Sequence, residues 1–144
     1  MLPALAAALA ELPAGQPRYL MGVGDPVGLV EAITMGVDLF DCVLPTRLAR
    51  HGTAVTSVGR VRLRNARFAR DPSPLDPACP CSVCGRWSRA YLRHLMLAGD
   101  PGAGRLLSLH NLGWTIRLVG QAREAVRTGR CGRLLADVRE AWAA

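Results

Sequence analysis

Three cysteines fall within six residues, Cys79-Pro80-Cys81-Ser82-Val83-Cys84. Thiols this close converge on one point only if the backbone turns tightly, and Pro77, Pro80 and Gly85 supply that turn. Cys81 and Cys84 have the Cys-x-x-Cys spacing of a zinc knuckle, and Cys79 adds a third thiolate from the same loop. A histidine brought back by an intervening helix would complete a Cys3His tetrahedron. His110 is the expected fourth ligand and His94 its competitor. Four protein ligands leave no open position for water, so Zn2+ held there would serve structure and would not activate a nucleophile. A redox pair or ordinary buried thiols are the competing readings. A redox Cys-x-x-Cys usually stands at a helix N-terminus, however, with no third cysteine crowding it. Cys42 and Cys131 are far apart, which argues for a reducing compartment over a disulfide framework.

A second group of reactive side chains lies upstream. Asp38 and Asp41 sit in the apolar run 37–44, where each is either a catalytic carboxylate or a capping or salt-bridging residue. All 18 basic residues are arginine, and the formal charge is +7. That excess favours a polyanionic partner, and arginine suits phosphate geometry. Arg60, Arg62 and Arg64 alternate with Val61 and Leu63, and the row continues through Arg67 and Arg70. It reads either as a solvated outer face or as a phosphate-facing surface.

The elements that must position these groups follow from the pattern. With 144 residues, half of them hydrophobic, the chain has the size and core of one domain. Residues 1–12 place Leu2, Leu5, Leu9 and Leu12 on one helical face, with no basic leader and too little length to span a bilayer, so a buried helix in a soluble, cytoplasmic protein is expected. The apolar run 18–23 reads as a strand, Asp25-Pro26 as an N-cap with Pro at the first helical position, and Gly36 as a helix stop. The run 37–44 then reads as a second strand. This is a βαβ unit, and its continuous apolar strands suit a parallel sheet buried on both faces. Chemistry in such sheets lies at the C-terminal ends of the strands, where Met21, Gly22, Asp41 and Cys42 fall. A hairpin turning near Gly59 is expected over 53–64. Trp87, Tyr91 and Leu95 mark a helix closed by Gly99-Asp100-Pro101, with His94 beside its apolar stripe as a core residue. His110 is expected to open a further helical segment containing Leu112, Ile116, Val119 and Ala122 and ending near Gly129. A last helix carries Leu134, Leu135, Val138 and Trp142 on one side.

Taken in order, Arg18-Tyr19-Leu20-Met21-Gly22-Val23-Gly24, Phe40-Asp41-Cys42-Val43-Leu44-Pro45-Thr46-Arg47, Arg64-Asn65-Ala66-Arg67, Pro74-Leu75-Asp76-Pro77, the cysteine cluster, Ser88-Arg89-Ala90-Tyr91-Leu92 and His110-Asn111-Leu112 resemble the C-terminal part of bacterial-type tRNA-guanine transglycosylase. The resemblance implies an α/β chain forming the last strands and helices of an incomplete (β/α)8 barrel with a zinc-binding insertion. Residues 1–52 would be barrel units, 53–110 the hairpin and zinc-binding subdomain, and 111–144 the C-terminal helices. It implies exchange of the wobble guanine of tRNA anticodons for a 7-deazaguanine in queuosine biosynthesis. Asp41 would be the nucleophile that forms a covalent ribosyl intermediate, as in retaining glycosidases. Met21 and Gly22 would line the base pocket, and Arg47 and Arg50 would hold anticodon phosphates. The complete enzyme would be a homodimer. A closed barrel takes about 250 residues, so the chain is expected to be a piece of a longer protein or a truncated gene product, inactive alone. A non-catalytic, zinc-stabilised RNA-binding or dimerisation module is the alternative.

Overall fold

The computed structural model describes residues 1–143 and has the expected mixed α/β character. Helix α1 (Leu2–Glu11) leads to strand β1 (Tyr19–Met21), helix α2 (Pro26–Thr34) and strand β2 (Leu39–Asp41). β1 and β2 pair in parallel, with Tyr19 opposite Leu39 and Met21 opposite Asp41. Asp25 caps α2, its carboxylate accepting from the Gly28 N–H at 2.8 Å, with Pro26 at the first helical position. One face of this small sheet is covered: Leu20 and Phe40 pack on Leu5, Leu9, Ala32 and Val37. The other is not. Tyr19, Met21 and Leu39 are exposed, so the expectation of burial on both faces holds for one face only. Leu12 is likewise exposed, one residue beyond the end of α1.

β2 is shorter than its apolar run. Leu44 begins helix α3 (Leu44–Arg50), because the Cys42 sulfur accepts the Leu44 N–H at 3.1 Å and Pro45 favours the first helical turn. Strands β3 (Thr53–Thr56) and β4 (Gly59–Arg62) then form an antiparallel hairpin whose turn, Ser57-Val58, adjoins Gly59 as expected. Val61 and Leu63 are buried and Arg60, Arg62 and Arg64 exposed, as the alternation requires.

Helix α4 (Arg89–Leu97) is capped by Ser88 and buries Leu92 and Met96. The expected stripe is off by one position, and His94 is exposed rather than a core residue. Helix α5 runs from Pro101 to Arg127, so His110 lies within it and the boundary expected at 110 falls inside one helix. Asp100 caps it, accepting from Gly102 N–H at 2.7 Å. Its inner face carries Leu107, His110, Asn111, Trp114, Leu118 and Ala122, whereas Leu112 and Ile116 are exposed. Helix α6 (Cys131–Trp142) packs Leu134, Leu135, Val138 and Trp142 against Trp114 and Leu118, as expected. Among the described residues no helix is long and apolar enough to cross a membrane.

Asp76, 1% exposed, ties the hairpin turn to the cysteine loop and α5. It accepts from Ser57 N–H and Oγ (both 2.8 Å), Ala78 N–H (2.9 Å) and Trp114 Nε1–H (3.1 Å). Burial alone would raise its pKa, but these donors more than offset that and hold it below the usual carboxylate range. The folded state therefore favours the anion more than the unfolded chain does. Its contribution is complete above the unfolded value of about 3.9 and is lost as pH falls through the lower folded value. Asp76→Asn turns an NH2 toward two donors, and unfolding in denaturant should show a loss of about 3 kcal/mol at pH 7. The gap between variant and parent should narrow below about pH 4; a gap independent of pH would show that the charge is not the cause.

Candidate active site and metal centre

The four expected ligands meet. One ligand atom from each of Cys79, Cys81, Cys84 and His110 lies within 4.8 Å of the others. The tight turn through Asp76–Cys79 and Cys81–Gly85 brings the thiols round, with backbone bonds Cys79 N–H to Asp76 O at 3.0 Å and Gly85 N–H to Cys81 O at 3.0 Å. His110 comes from the middle of α5. Its Nδ1 is 3.4 Å from the Cys81 sulfur and 3.3 Å from that of Cys84. A tetrahedron with arms of about 2.3 Å to sulfur and about 2.0 Å to nitrogen sets these atoms about 3.5 Å apart, so the donor set fits zinc.

The tautomer fits as well. His110 Nε2 lies 2.9 Å from the Val55 carbonyl, which can only accept, so Nε2 carries the proton and the Nδ1 lone pair faces the thiols. Burial also pushes the imidazole below its usual pKa, keeping it neutral. The same burial, with neighbouring thiols adding to it, pushes Cys84 up to about 12 and raises Cys79. Three thiolates there need a cation, which deprotonates coordinating thiols. These residues would hold Zn2+ as a structural ion joining the cysteine loop to α5.

The second site stands at the C-terminal ends of β1 and β2. Asp41 is the last residue of β2, and its Oδ1 accepts from Tyr19 OH at 2.9 Å and from Gly22 N–H at 3.4 Å. Both hydrogen bonds fall on Oδ1, so among the described residues Oδ2 is the free oxygen. Tyr19 was not singled out in the sequence; only the parallel register places it there. Its bond to Asp41, with partial desolvation and the carboxylate charge, raises its pKa and keeps it a donor. Gly22 turns the chain away from β1 at φ 77°, a conformation that other residues rarely adopt. Gly24 lies so close to Cys42 that a Cβ there would collide with the sulfur.

Asp41 borders two cavities. One, of ≈ 240 Å³, is mostly apolar and lies between Val23, Leu29 and Phe40 and the outer stripe Leu112, Ile116 and Val119 of α5. The other, of ≈ 350 Å³, brings together Asp41, Gly22, Asp25, Cys42 and Arg47. Met21 sits opposite Asp41 in the register and is 71% exposed. Arg50, one turn beyond Arg47, borders a different cavity with Arg64. Asp38 is spent on backbone, accepting from Arg18 N–H at 2.9 Å.

The family model described as queuine tRNA-ribosyltransferase matches residues 1–144. Queuine tRNA-ribosyltransferases of Bacillus cytotoxicus and Bacillus mycoides are 53% and 54% identical to the chain over 121 residues. Those matches cover 84% of this chain and 32% of each relative, so the chain spans about a third of the length of the curated relatives it matches.

Metal analysis of purified protein should give one zinc per chain. His110→Ala should lose it and His94→Ala keep it, since His94 is exposed and outside the cluster. The reverse result would assign the wrong histidine.

Proposed function

The chain belongs to the queuine tRNA-ribosyltransferase family, and we propose that it supplies the nucleophile and the structural zinc site of a tRNA-guanine transglycosylase. The observation that carries this reading is Asp41 at a strand end, with Oδ1 held by Tyr19 and Gly22 and Oδ2 free. In this reading Oδ2 attacks the anomeric carbon of the wobble nucleoside. The bond between that carbon and guanine breaks, its electron pair leaving with the base, and guanine takes up a proton. A 7-deazaguanine then attacks the same carbon, gives up its own proton and releases the carboxylate. The exchange breaks no phosphodiester, and it follows the two-step logic of retaining glycosidases.

Met21 and Gly22, beside Asp41, would bound the base, and Arg47 would meet a phosphate next to the reacting nucleoside. Arg50 would act further along the RNA. The open edges of the two-stranded sheet β1-β2 suit further parallel strands, as in a (β/α)8 barrel, with residues 53–110 as the zinc-bearing insertion, residues 111–144 as C-terminal helices and residues 1–52 as barrel units. The working enzyme would be a cytoplasmic homodimer acting on the tRNA anticodon arm. A non-catalytic zinc-stabilised RNA-binding module is the second reading, favoured by the small number of parallel strands in the described residues.

The test places this segment in the matching third of a full-length relative and follows incorporation of labelled guanine into tRNA. Asp41→Asn should abolish exchange and the trapped RNA adduct, with turnover falling at least about a thousandfold and tRNA affinity nearly unchanged. Tyr19→Phe removes one hydrogen bond to a charged group and should lower turnover about tenfold, also without loss of affinity. Full exchange by the Asp41→Asn chimaera would overturn the assignment. The 144 residues alone should incorporate no guanine.

A further inference from the structure

The outward arginines of the hairpin do not form one row. Arg64 borders a cavity with Arg50, while Arg60 shares another, of ≈ 350 Å³, with Arg67, Arg89, Phe68 and Asp71. We propose that the Arg60–Arg67–Arg89 cavity is a contact site for a phosphodiester of an RNA strand, apart from the Arg47 contact next to Asp41. This deepens the tRNA reading above and rests on it.

Each of the three guanidiniums lies over an aromatic ring. Arg67 lies over Phe68 at 4.6 Å from the ring centroid, and Arg89 is 5.5 Å from the same ring. Arg60 lies over Trp142 of α6 at 5.8 Å. A guanidinium stacked on a ring keeps its in-plane N–H edge for an acceptor, and that edge matches two oxygens of a phosphate. Stacking also reduces the side-chain entropy that a freely moving surface arginine must lose on binding.

The charge count points the same way. Among the described residues Asp71 is the only carboxylate lining the cavity, and it is already engaged, accepting from Arg89 Nη1 at 3.2 Å and from Ser73 N–H at 2.9 Å. Arg89 also donates Nη2 to the Leu75 carbonyl at 3.0 Å, while its Nε is shielded from solvent without a partner. Arg60 and Arg67 have no carboxylate partner among the described residues. Among the described residues, then, two cations without a carboxylate partner border the cavity beside one neutralised pair. Arg60 and Arg67 are themselves exposed, so they can meet a strand passing over the surface. A phosphate contact of this kind positions the RNA and reads no base.

The test measures tRNA binding by the zinc-loaded chain across a salt series. In Arg60→Gln/Arg67→Gln, affinity at low salt should fall about three- to tenfold, and the slope of log K against log salt should shrink by about 0.7–0.9 for each phosphate released. Cognate and non-cognate tRNA should lose equally. Arg67→Gln alone, which leaves the Arg60–Trp142 stack in place, should lose part of the same slope. Arg123→Gln/Arg127→Gln, on the outer part of α5, should change neither quantity. Wild-type binding with an unchanged slope in the double variant would overturn the cavity alone. No tRNA binding by the wild-type chain would overturn the tRNA reading and the cavity with it. If millimolar inorganic phosphate protects the cavity arginines from modification but tRNA does not, the site takes a free anion, and the RNA assignment fails.

Discussion

One residue of β3, Val55, is gripped at its free edge by adjacent residues of α5. His110 Nε2–H donates to the Val55 carbonyl at 2.9 Å, and Asn111 Oδ1 accepts the Val55 N–H at 3.0 Å. Asn111 also donates to the carbonyls of Thr53 at 3.0 Å and Pro45 at 2.9 Å. β3 is an edge strand, and an edge strand leaves alternate backbone groups unpaired. Here two side chains take the place of a third strand. Both are fully buried, which is tolerable only because their polar atoms are used. A histidine is required at the first position because one ring must serve the strand with Nε2 and the thiols with Nδ1. Glutamine would satisfy the strand and abandon the cluster.

Asp76 solves the complementary problem on the other side of the hairpin. A buried carboxylate without a cation is costly unless several donors meet it. The turn at Ser57, the loop at Ala78 and the indole of Trp114 provide them. Trp114 lies one helical turn beyond His110 on the same face of α5. The long helix thus holds the hairpin at two levels, and the cysteine loop is clamped between them. Arg117, one turn further, donates to the Ala78 carbonyl at 2.7 Å and extends the clamp.

Much of this was legible. The cysteine spacing, the Asp25-Pro26 cap and the alternation of β4 each express a local rule with few competitors. The inner face of α5 was not, because the residues that turn inward include His110 and Asn111. The apolar residues Leu112, Ile116 and Val119 instead border the cavity next to Asp41. The start of α5 was hidden by the same signal recognised at α2. Asp100-Pro101 caps a helix as Asp25-Pro26 does, but with Gly99 before it the triplet reads as the stop of the preceding helix. Tyr19 left no trace in spacing, since its partner is 22 residues away and is reached through parallel pairing alone.

The two sites share a connection, and its reach can be read from the bonds. The thiols hold His110, Asn111 follows it, and Asn111 fixes the Pro45 carbonyl in the first turn of α3. α3 is only seven residues long, too short to stand without such anchors. A second anchor is the Cys42 sulfur on Leu44 N–H, and Ala49 packs into the core. Metal at the cysteine cluster therefore stiffens the segment that carries Arg47. Asp41 is held differently: its hydrogen bonds come from Tyr19 and Gly22, which belong to β1 and the turn after it. Orientation of the carboxylate and placement of the arginine beside it thus rest on separate supports. Loosening of the metal loop should reach Arg47, the proposed phosphate contact, well before it disturbs the carboxylate.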